Sequence, residues 1–167
     1  MKRVLSIAVL VLTIAWIGFI FSNSMDSGVE SGKKSSRVYT IVNEVAQSLG
    51  ATEEIPESTI RTSAHFAEFA ILAILISTDI VLFAKLSPAL PLSRKHAYIL
   101  LAVPLCALLA VIDEAIQRFS PGRAMQFFDV MIDVGGAICG TILFFAMFGM
   151  IGIHLRRRRE RSEPPSV

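Results

Sequence analysis

Charge is scarce in this chain, and so are the residues from which metal frameworks and disulfide scaffolds are built. Only 18% of its 167 residues are Asp, Glu, Lys or Arg, whereas 53% are hydrophobic and mean hydropathy is +0.62. That balance excludes disorder and argues against an ordinary soluble domain. Sixteen basic residues against fourteen acidic ones leave a formal net charge of +2, too little to suggest a nucleic-acid partner. Two cysteines and three histidines form no zinc framework. Cys106 and Cys139 each lie inside a long apolar run, where a thiol serves as a small hydrophobe. The length suits one domain, and the composition points to the membrane bilayer as its surroundings.

What the sequence does hold is four apolar runs, at residues 4–21, 64–84, 97–112 and 130–153. About 20 helical residues cross a hydrocarbon core, so the second and fourth runs suffice alone. The first is slightly short, and the third must extend past Ile112 to span. Loop-forming residues separate them: Ser, Gly and charge at 22–34, acids around Pro56 at 53–57, and two prolines at 87–91. The expected fold is therefore all-α, an integral membrane four-helix bundle. Its helices fall at about 4–22, 63–85, 97–117 and 129–154, within a domain of residues 1–155 followed by an arginine-rich tail at 156–167. Lys2 and Arg3 ahead of an apolar stretch also suit a signal peptide, but the stretch is long for one and reads better as an uncleaved anchor. In the first long loop, Val38, Ile41, Val42, Val45, Ala46 and Leu49 recur at helical spacing until Gly50. They predict a short amphipathic helix that lies on the outer leaflet or caps what is beneath it.

Basic residues set the expected orientation. With the N-terminus inside, ten Lys and Arg residues face the cytoplasm and six face out. Arg156, Arg157, Arg158 and Arg159, next to the last helix, anchor that count. Both termini are expected in the cytoplasm.

Ionisable groups within spans cost about 2.5–3.5 kcal/mol each at the bilayer centre, which makes their positions informative. Counting about 20 residues back from the cytoplasmic ends reaches His65 and Glu68 in the second helix and Asp133 in the fourth. Extending the third run places Asp113 and Glu114 at the same depth. Arg61, His65 and Glu68 share one helix face, as do Asp113 and Gln117, Glu114 and Arg118, and Asp129 and Asp133. The expected outer pocket sets Glu68, Asp113, Glu114, Asp129 and Asp133 against Arg61, Arg118 and Arg123. Such a crowd must pair, hold a cation or keep a carboxyl protonated. Sodium, a divalent ion or arginine partners would all suit the same acids. Elsewhere, Asp79 is expected to reach the interface or pair with Lys85, and Pro104 to kink the third helix. Gly136 and Gly140 offer a small-residue face for packing within the bundle.

These residues resemble the VanZ-like family of small bacterial membrane proteins. The likeness runs through Phe21-Ser22-Asn23-Ser24, Ser35-Ser36, Arg61, Ala64-His65-Phe66 and Glu68-Phe69. It continues in Asp113-Glu114, Gln117, Phe119, Pro121-Gly122-Arg123, Asp129-Val130, Asp133, Gly136 and Gly140. Thr62 and Phe69 depart from the pattern, which often has lysine and tyrosine there. The resemblance implies a bacterial cytoplasmic membrane setting and a link to susceptibility to the glycopeptide teicoplanin, with no firm reaction attached.

Three functional expectations follow. In the first, the outer pocket binds or modifies a lipid-linked envelope precursor or an anionic lipid. His65 and Glu68 would exchange protons, Asp113 and Glu114 would position a nucleophile or cation, and Arg61 and Arg123 would meet an anionic head group, with Gln117, Asp129 and Asp133 lining the site. In the second, the protein is a non-enzymatic interaction module whose charge network is structural. A transporter is disfavoured, because the charges gather at one face and leave the midplane apolar.

Overall fold

The computed structural model describes residues 2–86 and 95–162 of the chain. Within them six helices follow one another: α1 (Lys2–Ser24), α2 (Gly28–Ser48), α3 (Glu57–Leu86), α4 (Lys95–Ile99), α5 (Ala102–Phe119) and α6 (Phe127–Ser162). Four segments are long and apolar enough to cross a membrane: Arg3–Ser24, Glu57–Ala84, Ala97–Phe119 and Phe127–Phe148. The architecture is the expected all-helical four-helix membrane bundle. The proline-bearing linker at 87–91 lies outside the described residues, as do residues 163–167 of the tail, whose preceding part continues α6 to Ser162.

The helices outrun the apolar runs at most ends, because a helix does not stop where lipid does. Just after Pro56, α3 starts at Glu57 rather than near 63, so Arg61 stands on the same helix as His65 and Glu68. The longest departure is α2, which covers 21 residues instead of about twelve. Residues 28–34, expected in a loop, are helical. Ser27 caps the helix by accepting the Glu30 N–H at 3.3 Å, the Ser-x-x-Glu signature of a helix start. The third crossing is not a kinked helix but a broken one. Pro104 has no N–H to offer the Leu100 carbonyl, which instead accepts from Val103 at 3.4 Å, and the chain turns at Leu100 and Leu101 between α4 and α5.

At the centre of the bundle, α3 packs against each of the other helices, most extensively α6. Small side chains dominate the buried core: Ala73, Ala102, Cys106, Ala110 and Ala137 sit with Ile20, Phe69 and Leu72. In lipid no hydrophobic force draws helices together, so close backbone approach must supply the attraction. Gly136 and Gly140 provide it: a Cβ on either would collide with the backbone carbonyl of Phe66 or Ala70, respectively. Large apolar residues, such as Val4, Ile14, Leu108 and Ile142, cover the outside of the spans.

Far from the polar end, Asp79 is buried and accepts the Thr13 hydroxyl of α1 at 2.6 Å. Lys85, its expected partner, has its side chain outside the described residues.

The glycine contact yields a direct test. Gly140→Ala should cost about 1–3 kcal/mol by forcing α3 and α6 apart. Gly18→Ala, within α1 and with nothing within 4 Å of the added methyl, should not lower stability. Thermal unfolding in detergent separates the two, and equal stabilities would refute the close contact.

Candidate functional site

The polar end of the bundle is built from all four crossings and capped by α2. On α1 the last turn supplies Asn23 and Ser24. On α3 one face supplies Arg61, His65 and Glu68, on α5 the last two turns supply Asp113, Glu114 and Gln117, and on α6 the first two turns supply Asp129 and Asp133. Asp113, Glu114 and Asp133 are fully buried, at 0% exposure, and Gln117 is nearly so.

Part of this cluster is a closed hydrogen-bond network between α1 and α5. Ser24 donates its hydroxyl to Asp113 Oδ1 at 2.6 Å, and Gln117 Nε2 donates to Asp113 Oδ2 at 3.0 Å. Gln117 also reaches Ser24 Oγ at 3.4 Å, while Ser120 donates to the Ser24 carbonyl at 2.8 Å. Glu114 accepts the backbone N–H of Gln126 through Oε2 at 2.8 Å, which ties α5 to the loop before α6. Asn23 donates to Glu68 Oε1 at 3.3 Å. Two turns earlier on α1, Trp16 donates its indole N–H to the Glu68 carbonyl at 3.0 Å.

The other part is open. His65 Nδ1 lies 3.6 Å from Asp133 Oδ1, and neither that nitrogen nor either Asp133 oxygen has a hydrogen-bond partner. Above them is a cavity of about 380 Å³ lined by residues including Gly28, Gly32, Arg61, His65 and Asp129. A second, of about 190 Å³, is lined by Asn23, Lys34, Arg61, His65, Glu68 and Arg123 among others.

A turn aims Arg123 at this space. Ser120 accepts the Arg123 N–H at 3.2 Å across Pro121 and Gly122, and Gly122 has φ +77°, the Pro-Gly pattern of a type II turn. Gly28 donates to the Pro121 carbonyl at 2.9 Å, and a Cβ on Gly28 would sit 2.7 Å from the Gly122 oxygen. A glycine at each position thus lets α2 close over the turn. Arg123 donates to the Asn23 carbonyl at 3.1 Å. Burial, with Arg61 nearby, lowers its pKa from the usual guanidinium value, yet it remains a cation.

Nine residues were singled out from sequence, and the structure gathers all of them at this end. The expected arginine partners are the exception. Among the described residues the ion pairs are Lys33–Glu30, Lys34–Asp26 and His65–Asp133, so neither Arg61 nor Arg123 pairs with a pocket acid. Arg118 is exposed and lines a separate cavity with Phe127, away from the acids. The acids took serine and asparagine from α1, a glutamine one turn on in α5 and a backbone N–H from the loop before α6, because those groups stand at the right height. Asn23, Ser24, Ser120 and Gln126 were not assigned to the site. The available signal was a run of small polar residues ending an apolar span, which reads equally well as the start of a loop.

The cap has an unexpected orientation. Gly28, Gly32 and Ser35 of α2 face the larger cavity, while Asn43 is buried and grips Ile55, accepting its N–H at 2.7 Å. Tyr39 donates to Glu54 at 2.6 Å, a bond that raises the phenol pKa above its usual value. The apolar positions Val38, Ile41, Val45 and Leu49 remain exposed.

Together these features define a multi-pass membrane protein with a buried polar site at one end of its bundle. The chain matches the VanZ/LLP1 family model over residues 9–151 and belongs to that family. No curated protein and no solved structure matches it at a significant level. Thr62, one of the two departures from the family pattern, lines the larger cavity; the other, Phe69, is fully buried in the core.

Ser24→Ala should strand Asp113 Oδ1 in a buried setting and cost about 1–3 kcal/mol. Asp129→Asn, on a half-buried cavity wall, should cost well under 1 kcal/mol, as surface changes do. Detergent unfolding curves check the difference, and an inexpensive Ser24→Ala would show that the closed network carries no stability.

Proposed function

We propose that the capped end of the bundle binds the anionic head group of a membrane-embedded molecule. The observation that carries this reading is Arg61, which lines three adjoining cavities yet has no ion-pair partner among the described residues. Arg123 borders two of those cavities, and two guanidinium groups free of ion pairs suit a phosphate or carboxylate even though Asp26, Glu57, Glu68 and Asp129 share the walls. His65 and Glu68 reach the same space and are the groups for proton transfer, with Asp113 and Glu114 positioning them. In this reading the site faces outward, both termini are cytoplasmic, and the exposed face of α2 lies against the outer leaflet of a bacterial cytoplasmic membrane. A lipid-linked envelope molecule is the ligand class, and glycopeptide susceptibility its cellular readout.

A second reading has its own support. Both Asp113 oxygens accept a hydrogen bond within the α1–α5 network, as a purely structural charge cluster would require. A non-enzymatic envelope protein would tolerate isosteric changes in the open part of the site.

Arg61→Gln and Glu68→Gln separate these readings. Purified wild type should gain about 5–10 °C in melting temperature from short-chain phosphatidic acid at roughly 100 times Kd, and little from phosphatidylcholine. Arg61→Gln should lose that gain. In a strain lacking the native copy, Glu68→Gln should accumulate normally and lose glycopeptide protection. Equal responses to both lipids would defeat anion recognition, and full protection by Glu68→Gln would favour the structural reading. Orientation is tested by placing one cysteine at Ser36 in a background lacking Cys106 and Cys139. A membrane-impermeant maleimide should label it in intact cells, and labelling only after lysis would invert the topology.

A further inference from the structure

We infer that His65, Asp113 and Asp133 form a binding site for one divalent first-row transition ion, of which Zn²⁺ and Mn²⁺ are the probes. The inference goes beyond anion recognition and stands on the geometry of these three residues. Each comes from a different helix, α3, α5 and α6, and offers one donor atom, all within 4.8 Å of one another. Metal–ligand bonds of about 2.0–2.2 Å place adjacent donors about 3–3.6 Å apart. The 3.6 Å between His65 Nδ1 and Asp133 Oδ1 already meets that, and the remaining gaps close with side-chain shifts below about 1 Å.

A cluster of acids alone would not suffice. What points to a cation is that Asp133 is fully buried, that both of its oxygens lack partners, and that the facing His65 Nδ1 lacks one too. Three buried atoms able to ligate a metal thus converge without a hydrogen-bond partner. Such groups are expensive to leave unmet in a membrane span. No arginine or lysine among the described residues fills the role. Asp113, in contrast, is held in place by Ser24 and Gln117, as an outer layer of hydrogen bonds holds a metal-binding carboxylate. Each of its oxygens keeps a further lone pair for an ion.

The donor chemistry narrows the ion. One imidazole with two carboxylates is too nitrogen-rich for magnesium or calcium, which prefer all-oxygen shells, and lacks the thiolates that select copper(I). Three protein ligands leave coordination positions open. His65 borders both cavities, so water and ions have a route to the site and the open positions face the same space as Arg61.

The test uses the full chain in detergent, carrying an affinity tag free of histidine, stripped with EDTA and dialysed. Titration with Zn²⁺ or Mn²⁺, followed by elemental analysis after desalting, should give about one ion per chain and raise the melting temperature. Asp133→Asn and His65→Gln should each weaken retention by about tenfold or more. Should Asp133→Asn fail to fold, Asp113→Asn and the melting shift of stripped wild type carry the same question. Wild type that stays folded, retains no ion and shows no melting shift would overturn the site and leave a shared proton between His65 and Asp133. Retention equal to wild type in both His65→Gln and Asp133→Asn would overturn it by moving the ion elsewhere. Neither result bears on the phosphatidate response, so failure of this site and failure of anion binding are distinguishable.

Discussion

The backbone contact between α3 and α6 is the constraint on which the rest of the polar end depends. Gly136 meets Phe66 and Gly140 meets Ala70, so the two helices run parallel in one register for at least a full turn. A single step toward the α2 end of that register brings His65 beside Asp133, and a further turn brings Arg61 and Thr62 beside Asp129 around one cavity. In lipid, such contact is a main source of helix attraction, since tails solvate a leucine as well as a neighbouring helix does. Stability and site geometry therefore share the same atoms. A substitution that widens this seam moves the open part of the site before it touches any polar residue.

The α1–α5 side solves a different problem. Its polar groups are almost all satisfied, and Ser24 is the pivot, donating to Asp113 while its own carbonyl accepts from Ser120. A fully satisfied buried network rigidifies what it joins. That rigidity fixes Asp113 and sets the height at which the Pro121-Gly122 turn leaves α5, which in turn brings Arg123 to the Asn23 carbonyl. The site thus has a rigid wall on one side and an unsatisfied pair, His65 and Asp133, on the other.

Helix faces and depth were legible in the sequence because both follow from simple periodicity. The 61, 65, 68 spacing put three side chains on one face, and counting about 20 residues from the opposite ends of the spans found the level at which charges gather. What hydropathy could not show was structure built from polar residues. The helical start of α2 rests on a Ser27 cap, and Asn43 is buried because it serves the Ile55 backbone on both its N–H and carbonyl sides. Both are hydrogen-bond facts with little apolar signature. The same limit explains the arginines. Spacing shows which groups share a helix face, as it did for Asp113 and Gln117, but Ser24 and Asn23, which serve Asp113 and Glu68, come from another helix, and the partner of Glu114 comes from the loop before α6. Their identity depends on the relative heights of elements far apart in sequence.

Lys34 pairs with Asp26, but Arg61 and Arg123 stand apart from the buried acids. Arg61, Arg123 and Lys34 border the cavities, and Asp113, Glu114 and Asp133 lie buried below them. If the arrangement served packing alone, pairing the arginines with the acids would satisfy both, and apolar replacements of similar volume would do at least as well energetically. Keeping them apart leaves two unpaired guanidinium groups at a mouth that also carries Asp26, Glu57, Glu68 and Asp129, above an electron-rich floor. A ligand with a negative head group would be drawn by the guanidinium groups, and a cation held by the floor would face it across the open positions. The height at which the unpaired charges stand, rather than their number, is what the head-group proposal rests on.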